Sequence, residues 1–75
     1  MDLNTFISQF ANMFDETDGS EFTANCSYQD LDEWSSITAM SIIALVKTEF
    51  GKSISAREIR SCHTIEELYN HVISM

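Results

Sequence analysis

Few side chains in this 75-residue sequence could do chemistry, and the most suggestive are the two serines Ser35 and Ser36, placed where the acids Asp30, Asp32 and Glu33 give way to an apolar stretch. A serine nucleophile needs a base within hydrogen-bond reach and usually a third group that orients that base. His63 and His71 stand far along the chain in no such arrangement, and the sequence has neither a GxSxG elbow nor a glycine-rich phosphate loop. Direct catalysis by Ser36 is the weakest reading, and no enzymatic activity is expected of the chain alone. A structural role is always open to a serine at such a boundary, because serine is a favoured helix N-cap.

Metal chemistry fares no better. Cys26, Cys62, His63 and His71 contain no closely spaced cysteine pair and match no structural zinc spacing. The acidic run Asp15-Glu16-Thr17-Asp18-Gly19 resembles a calcium loop only superficially. Setting Gly19 at the loop glycine puts Phe14 where the first carboxylate must be and Asn25 where the bidentate glutamate belongs. Solvated loop acids explain that run, and no metal is expected.

Composition narrows the partners. Twelve acids against four bases give a formal charge of −8, which disfavours nucleic acid and anionic membrane surfaces and favours proteins that present Lys and Arg. The segment from Asp2 to Glu33 holds eight of the acids and no base, so the negative field belongs to the first half. The longest apolar run, Ile42-Ile43-Ala44-Leu45-Val46, is far short of the roughly 20 residues a membrane span requires. Without a recognisable signal segment or cysteine framework, the expectation is a soluble cytoplasmic monomer with free thiols and no membrane insertion.

The elements that would position Ser36 can be read from spacing. Leu3, Phe6, Ile7, Phe10, Met13 and Phe14 recur at three and four residues, predicting an amphipathic helix over residues 2–15. No period persists from Glu16 to Trp34, so a long loop follows, with Phe22, Tyr28, Leu31 and Trp34 available to pin it to the core. A second helix should begin near Ser35 or Ser36 and stop at Gly51. It carries two apolar lines: Ile42, Ile43, Val46 and Phe50 suit a core, while Ile37, Met40 and Ala44 form a second stripe. Ser55-Ala56-Arg57-Glu58 is a capping box flanked by the staple residues Ile54 and Ile59, predicting a short third helix over 56–61. Thr64-Ile65-Glu66-Glu67 predicts another box, opening a last helix with Ile65, Leu68, Tyr69, Val72 and Ile73 inward. The fold class is therefore all-α: one domain, residues 1–75, a four-helix bundle with a long loop between helices I and II and a short helix III.

At the segment Trp34-Ser35-Ser36-Ile37 the sequence resembles the acyl carrier protein family, whose second helix opens on an Asp-Ser-Leu signature, in some members preceded by Trp. Met40, Ile42, Ile43, Val46, Glu49 and Phe50 follow the family's helix II pattern, and Ile54, Ile59, Ile65, Leu68 and Val72 extend the resemblance. The resemblance implies that Ser36 carries a covalent 4′-phosphopantetheine cofactor attached by a phosphopantetheinyl transferase, with Ile37 in the leucine position. It further implies delivery of an acyl or aminoacyl group to ligase, synthase or acyl-transferring enzymes of fatty-acid, polyketide or related biosynthesis. A helix N-terminus suits a phosphodiester because its amides and dipole favour negative charge.

Two departures stand out. Ser35 replaces the signature acid, leaving Ser35 itself as an alternative site, and Glu49 is the one acid of helix II, where family members usually carry several. Docking to basic partner patches would then fall to Asp32 and Glu33 together with Ile37, Met40 and Ala44. These departures lean the expectation toward a specialised polyketide or peptide-type pathway. The competing reading is an unmodified helical adaptor that binds a protein through the Ile37, Met40 and Ala44 face.

Overall fold

The computed structural model describes residues 1–75 and contains four helices and no strand: α1 Leu3–Ala11, α2 Ser36–Phe50, α3 Ala56–Ser61 and α4 Ile65–Ile73. Most of the core follows the apolar spacing read from the sequence, but on α2 Leu45 joins it while Ile43 and Phe50, expected inside, are only partly buried at its edge. Phe6 and Phe10 of α1, Ile42, Leu45 and Val46 of α2, Ile59 of α3, and Ile65, Leu68 and Val72 of α4 are buried together. No helix is long and apolar enough to cross a membrane.

Each helix begins on a side-chain cap. Asp2 accepts from the Thr5 amide at 2.8 Å and opens α1. Ser35 caps α2, and Ser55 and Glu58 form a reciprocal box at α3, so the short helix falls where its sequence signature placed it. Gly51 ends α2 in the left-handed region at φ 67°, a conformation that favours glycine. At α4 the box is incomplete. Thr64 accepts from the Glu67 amide, but the Glu67 carboxylate reaches back to the His63 amide instead of that of Thr64. The loop supplies the rest, since the Ala24 and Cys26 carbonyls accept from the Glu66 and Ile65 amides.

Three other expectations change. Helix α1 is shorter than residues 2–15: it stops at Ala11 and tightens, with the Met13 amide bonding to the Phe10 carbonyl and that of Phe14 to Ala11. The tightening keeps Phe14 inward while Asp15 and Glu16 turn away into the loop. Ile73 is 48% exposed because it lies off the Ile65, Leu68 and Val72 stripe. His71, which its place on the last helix off the apolar stripe predicts to be exposed, is half-buried, with its Nε2 3.0 Å from the Glu58 Oε1.

The long connection is anchored by aromatic rings. Trp34 lies 5.0 Å from Tyr28 and 6.3 Å from Phe14 between ring centroids, and Phe14 and Phe22 are 5.0 Å apart. Such pairs add about 0.5–1.5 kcal/mol each beyond the area they bury. The residue directly preceding the two serines is thus fixed to the end of α1 and to the loop, which sets where α2 starts.

Candidate functional site

The two adjacent serines have separate situations. Ser35 is extended and lies outside the helix, and its hydroxyl accepts from the Ile37 and Thr38 amides at 3.2 and 3.4 Å. Thr38 reciprocates, its hydroxyl oxygen accepting from the Ser35 amide at 2.8 Å. Ser36 is the first helical residue, is exposed, and its hydroxyl makes no hydrogen bond within the protein. One serine is consumed by the helix start and its neighbour is left free.

Ser36 opens onto a groove of about 330 Å³ between α2 and α3, lined by Ala39, Met40, Ile43, Ala56, Ile59 and Arg60 with Trp34 and Ser35 at its end. A second apolar hollow of about 370 Å³ continues along α2 beneath Met40, Ile43 and Ala44 and ends at Lys47 and Ser53. No histidine or carboxylate lines either one. The second apolar line of α2 faces outward as its spacing suggested. Ile37 is 74% and Met40 68% exposed, and Ala44 is exposed beside them.

The loop acids line a hollow of their own. Glu16, Glu21, Asp30, Asp32 and Glu33 surround a shallow cavity of about 400 Å³, and no group of three or more potential ligands is placed to hold a metal ion. Asp32 is exposed. Glu33, grouped with Asp32 in the docking expectation, is already engaged: its carboxylate accepts from the Thr17 hydroxyl at 2.7 Å and from the Asp15 and Glu16 amides at 2.8 and 3.0 Å. The Thr17 hydroxyl first, and then these amides, hold its pKa below the ordinary glutamate value. It is a clasp that joins the start of the loop to its end.

A second clasp sets the far wall of the groove. Tyr28 is fully buried, and its hydroxyl proton is shared between the Ile59 carbonyl and the Cys62 carbonyl, the latter at 2.9 Å. The Gln29 Nε2 donates to the Cys62 and Arg60 carbonyls at 2.8 and 3.1 Å. Burial pushes the Tyr28 phenol far above its ordinary pKa, with Cys62 and Glu67 adding to the effect. Loop residues therefore cap the C-terminal carbonyls of a six-residue helix that would be marginal alone. Sequence reasoning gave Tyr28 only an apolar role and passed over Gln29 and Arg60. A tyrosine and a glutamine side by side in a loop are a faint sign of carbonyl capping, and nothing in the spacing places Arg60 beside Ser36.

A family model described as a phosphopantetheine attachment site matches residues 16–72, most of the chain and all of the groove. No curated protein and no solved structure matches.

Proposed function

Because the chain belongs to the phosphopantetheine attachment-site family, whose carrier domains hold the group covalently on a serine and are not themselves enzymes, we propose that the modified residue is Ser36 and that the single domain of residues 1–75 is an acyl or aminoacyl carrier. The observation that carries this assignment is the division of labour between the serines: Ser35 has its hydroxyl committed to two amides, while the Ser36 hydroxyl is exposed and unbonded. The neighbouring apolar groove fits such a group, since it offers space and contact surface next to the attachment point.

When bound, phosphopantetheine supplies a terminal thiol that holds the cargo as a thioester. The chain's own residues do the positioning. Trp34 and the Ser35–Thr38 box fix the first turn of α2, so the Ser36 oxygen is presented at the surface to a transferase. No lining residue can take the serine proton, so the base belongs to the transferase. Ile37, Met40 and Ala44 then form the apolar centre of the docking face, with Asp32 at its acidic edge and Glu33 holding that edge in shape. An adaptor role needs no separate surface, because the same face serves a carrier's partners.

The replacement of the signature acid by Ser35 and the sparse acids of α2 favour a specialised polyketide or peptide-type pathway over the main fatty-acid one, and the reading extends to a monomer that acts in the cytoplasm. Incubation with coenzyme A and a broad-specificity phosphopantetheinyl transferase should add one phosphopantetheine to the intact mass of the wild type and Ser35→Ala, and none to Ser36→Ala. Loss of the adduct in Ser35→Ala alone would move the site, and no adduct with several transferases would refute the assignment.

A further inference from the structure

A phosphodiester on Ser36 would carry a full negative charge at the mouth of the α2–α3 groove. The amides at the start of α2 offer it less than a free helix terminus would. Those of Ile37 and Thr38 already donate to the Ser35 hydroxyl and that of Ala39 to the Ser35 carbonyl, which leaves only the Ser36 amide without a protein acceptor. In a chain of net charge −8 the anion needs another counter-charge. Arg60 is the one charged residue lining the groove with Ser36. The one ion pair of the chain joins His71 to Glu58, so the Arg60 guanidinium has no carboxylate partner. Its backbone is held in place, because the Gln29 Nε2 caps the Arg60 carbonyl at 3.1 Å. Arg57, on the same short helix, is exposed and lies outside the groove.

We propose that Arg60 is a positioning residue that pairs with the phosphodiester on Ser36 and turns the attached arm into the α2–α3 groove. The guanidinium fork suits this task, because two N–H groups can meet the two non-bridging phosphate oxygens together. Ser35 assists by being neutral: an acid at that position would compete for the arginine and repel the phosphodiester. Asp32, the nearest free acid in sequence, lies around the loop cavity and not the groove. Arg60 thus gives an acidic protein a local cation where its modification adds more negative charge.

The proposal rests on modification of Ser36, and its test separates the two claims. Unmodified and modified forms of the wild type, Arg60→Gln and Arg57→Gln are melted at low ionic strength, and the holo-minus-apo difference in Tm is compared. That difference should fall by about 2–6 °C in Arg60→Gln and remain at the wild-type value in Arg57→Gln. The phosphorus-31 resonance of the holo protein should move in Arg60→Gln and stay in place in Arg57→Gln. An equal holo-minus-apo difference and an unmoved resonance in Arg60→Gln would overturn the pairing while leaving the carrier assignment intact. Failure of any form to acquire the group would instead defeat the assignment of Ser36, and the pairing with it.

Discussion

Replacing Tyr28 by Phe removes one oxygen from the fully buried core and leaves the ring among Phe10 and Trp34, 5.5 and 5.0 Å away between centroids. The loss is then confined to the hydroxyl that caps α3. Gln29 continues to serve the Cys62 and Arg60 carbonyls, but it reaches the Ile59 carbonyl only at 3.3 Å, so that group bears most of the loss. One hydrogen bond, together with part of the desolvation of a buried carbonyl, comes to about 1–2.5 kcal/mol. A domain of this size changes its Tm by roughly 4–8 °C per kcal/mol, which predicts a fall of about 5–15 °C. The total stability of such a core is only ~3–5 kcal/mol, so the loss should be plain in thermal and urea melts followed by circular dichroism. Alkaline pH gives an independent check on the same group. Its folded-state pKa is raised, so its contribution is complete below the unfolded phenol value of about 10 and is lost as pH rises above it. Tyr28→Phe should flatten that alkaline decline. A variant within ~0.3 kcal/mol of wild type, with an unchanged alkaline limb, would refute the view that the loop holds α3 through this hydroxyl.

The two serines should separate in stability as well as in modification. Ser35→Ala should cost about 1 kcal/mol in denaturant melts through loss of the N-cap, whereas Ser36→Ala should stay within about 0.5 kcal/mol of wild type. The depressed pKa of Glu33 means that its contribution is present above the ordinary glutamate value near 4.3 and is lost as pH falls through the folded value. Acid titration followed by Trp34 fluorescence should accordingly show a shallower acid limb in Glu33→Gln, and an unchanged limb would contradict the clasp. Because the net charge is −8, added salt should raise the Tm of the wild type, and a flat response would show that self-repulsion costs no stability.

Much of this molecule was legible in its sequence because local signals and the fold agree. The Ser55–Glu58 box and Gly51 set the ends of α3 and α2, since each acts within one turn of its own helix. The outward line of Ile37, Met40 and Ala44 was legible for the same reason, as helical period alone separates it from the buried Ile42 and Val46. What escaped the sequence depends on contacts between distant segments. The early end of α1 at Ala11 follows from Glu33 drawing the Asp15 and Glu16 amides into the loop. Glu33 reads as a docking acid until its carboxylate is seen to be occupied. Tyr28 and Gln29 reach α3 across about thirty residues, and Arg60 joins Ser36 only because α3 packs against α2. Neither relation leaves a periodic trace.

The site of attachment can be read by fragmentation of the wild-type peptide spanning Trp34 to Lys47, taken from protein treated with coenzyme A and a phosphopantetheinyl transferase. Phosphopantetheine should be found on Ser36 alone, with Ser35 unmodified. The group on Ser35, or a peptide that stays unmodified with every transferase, would contradict the assignment.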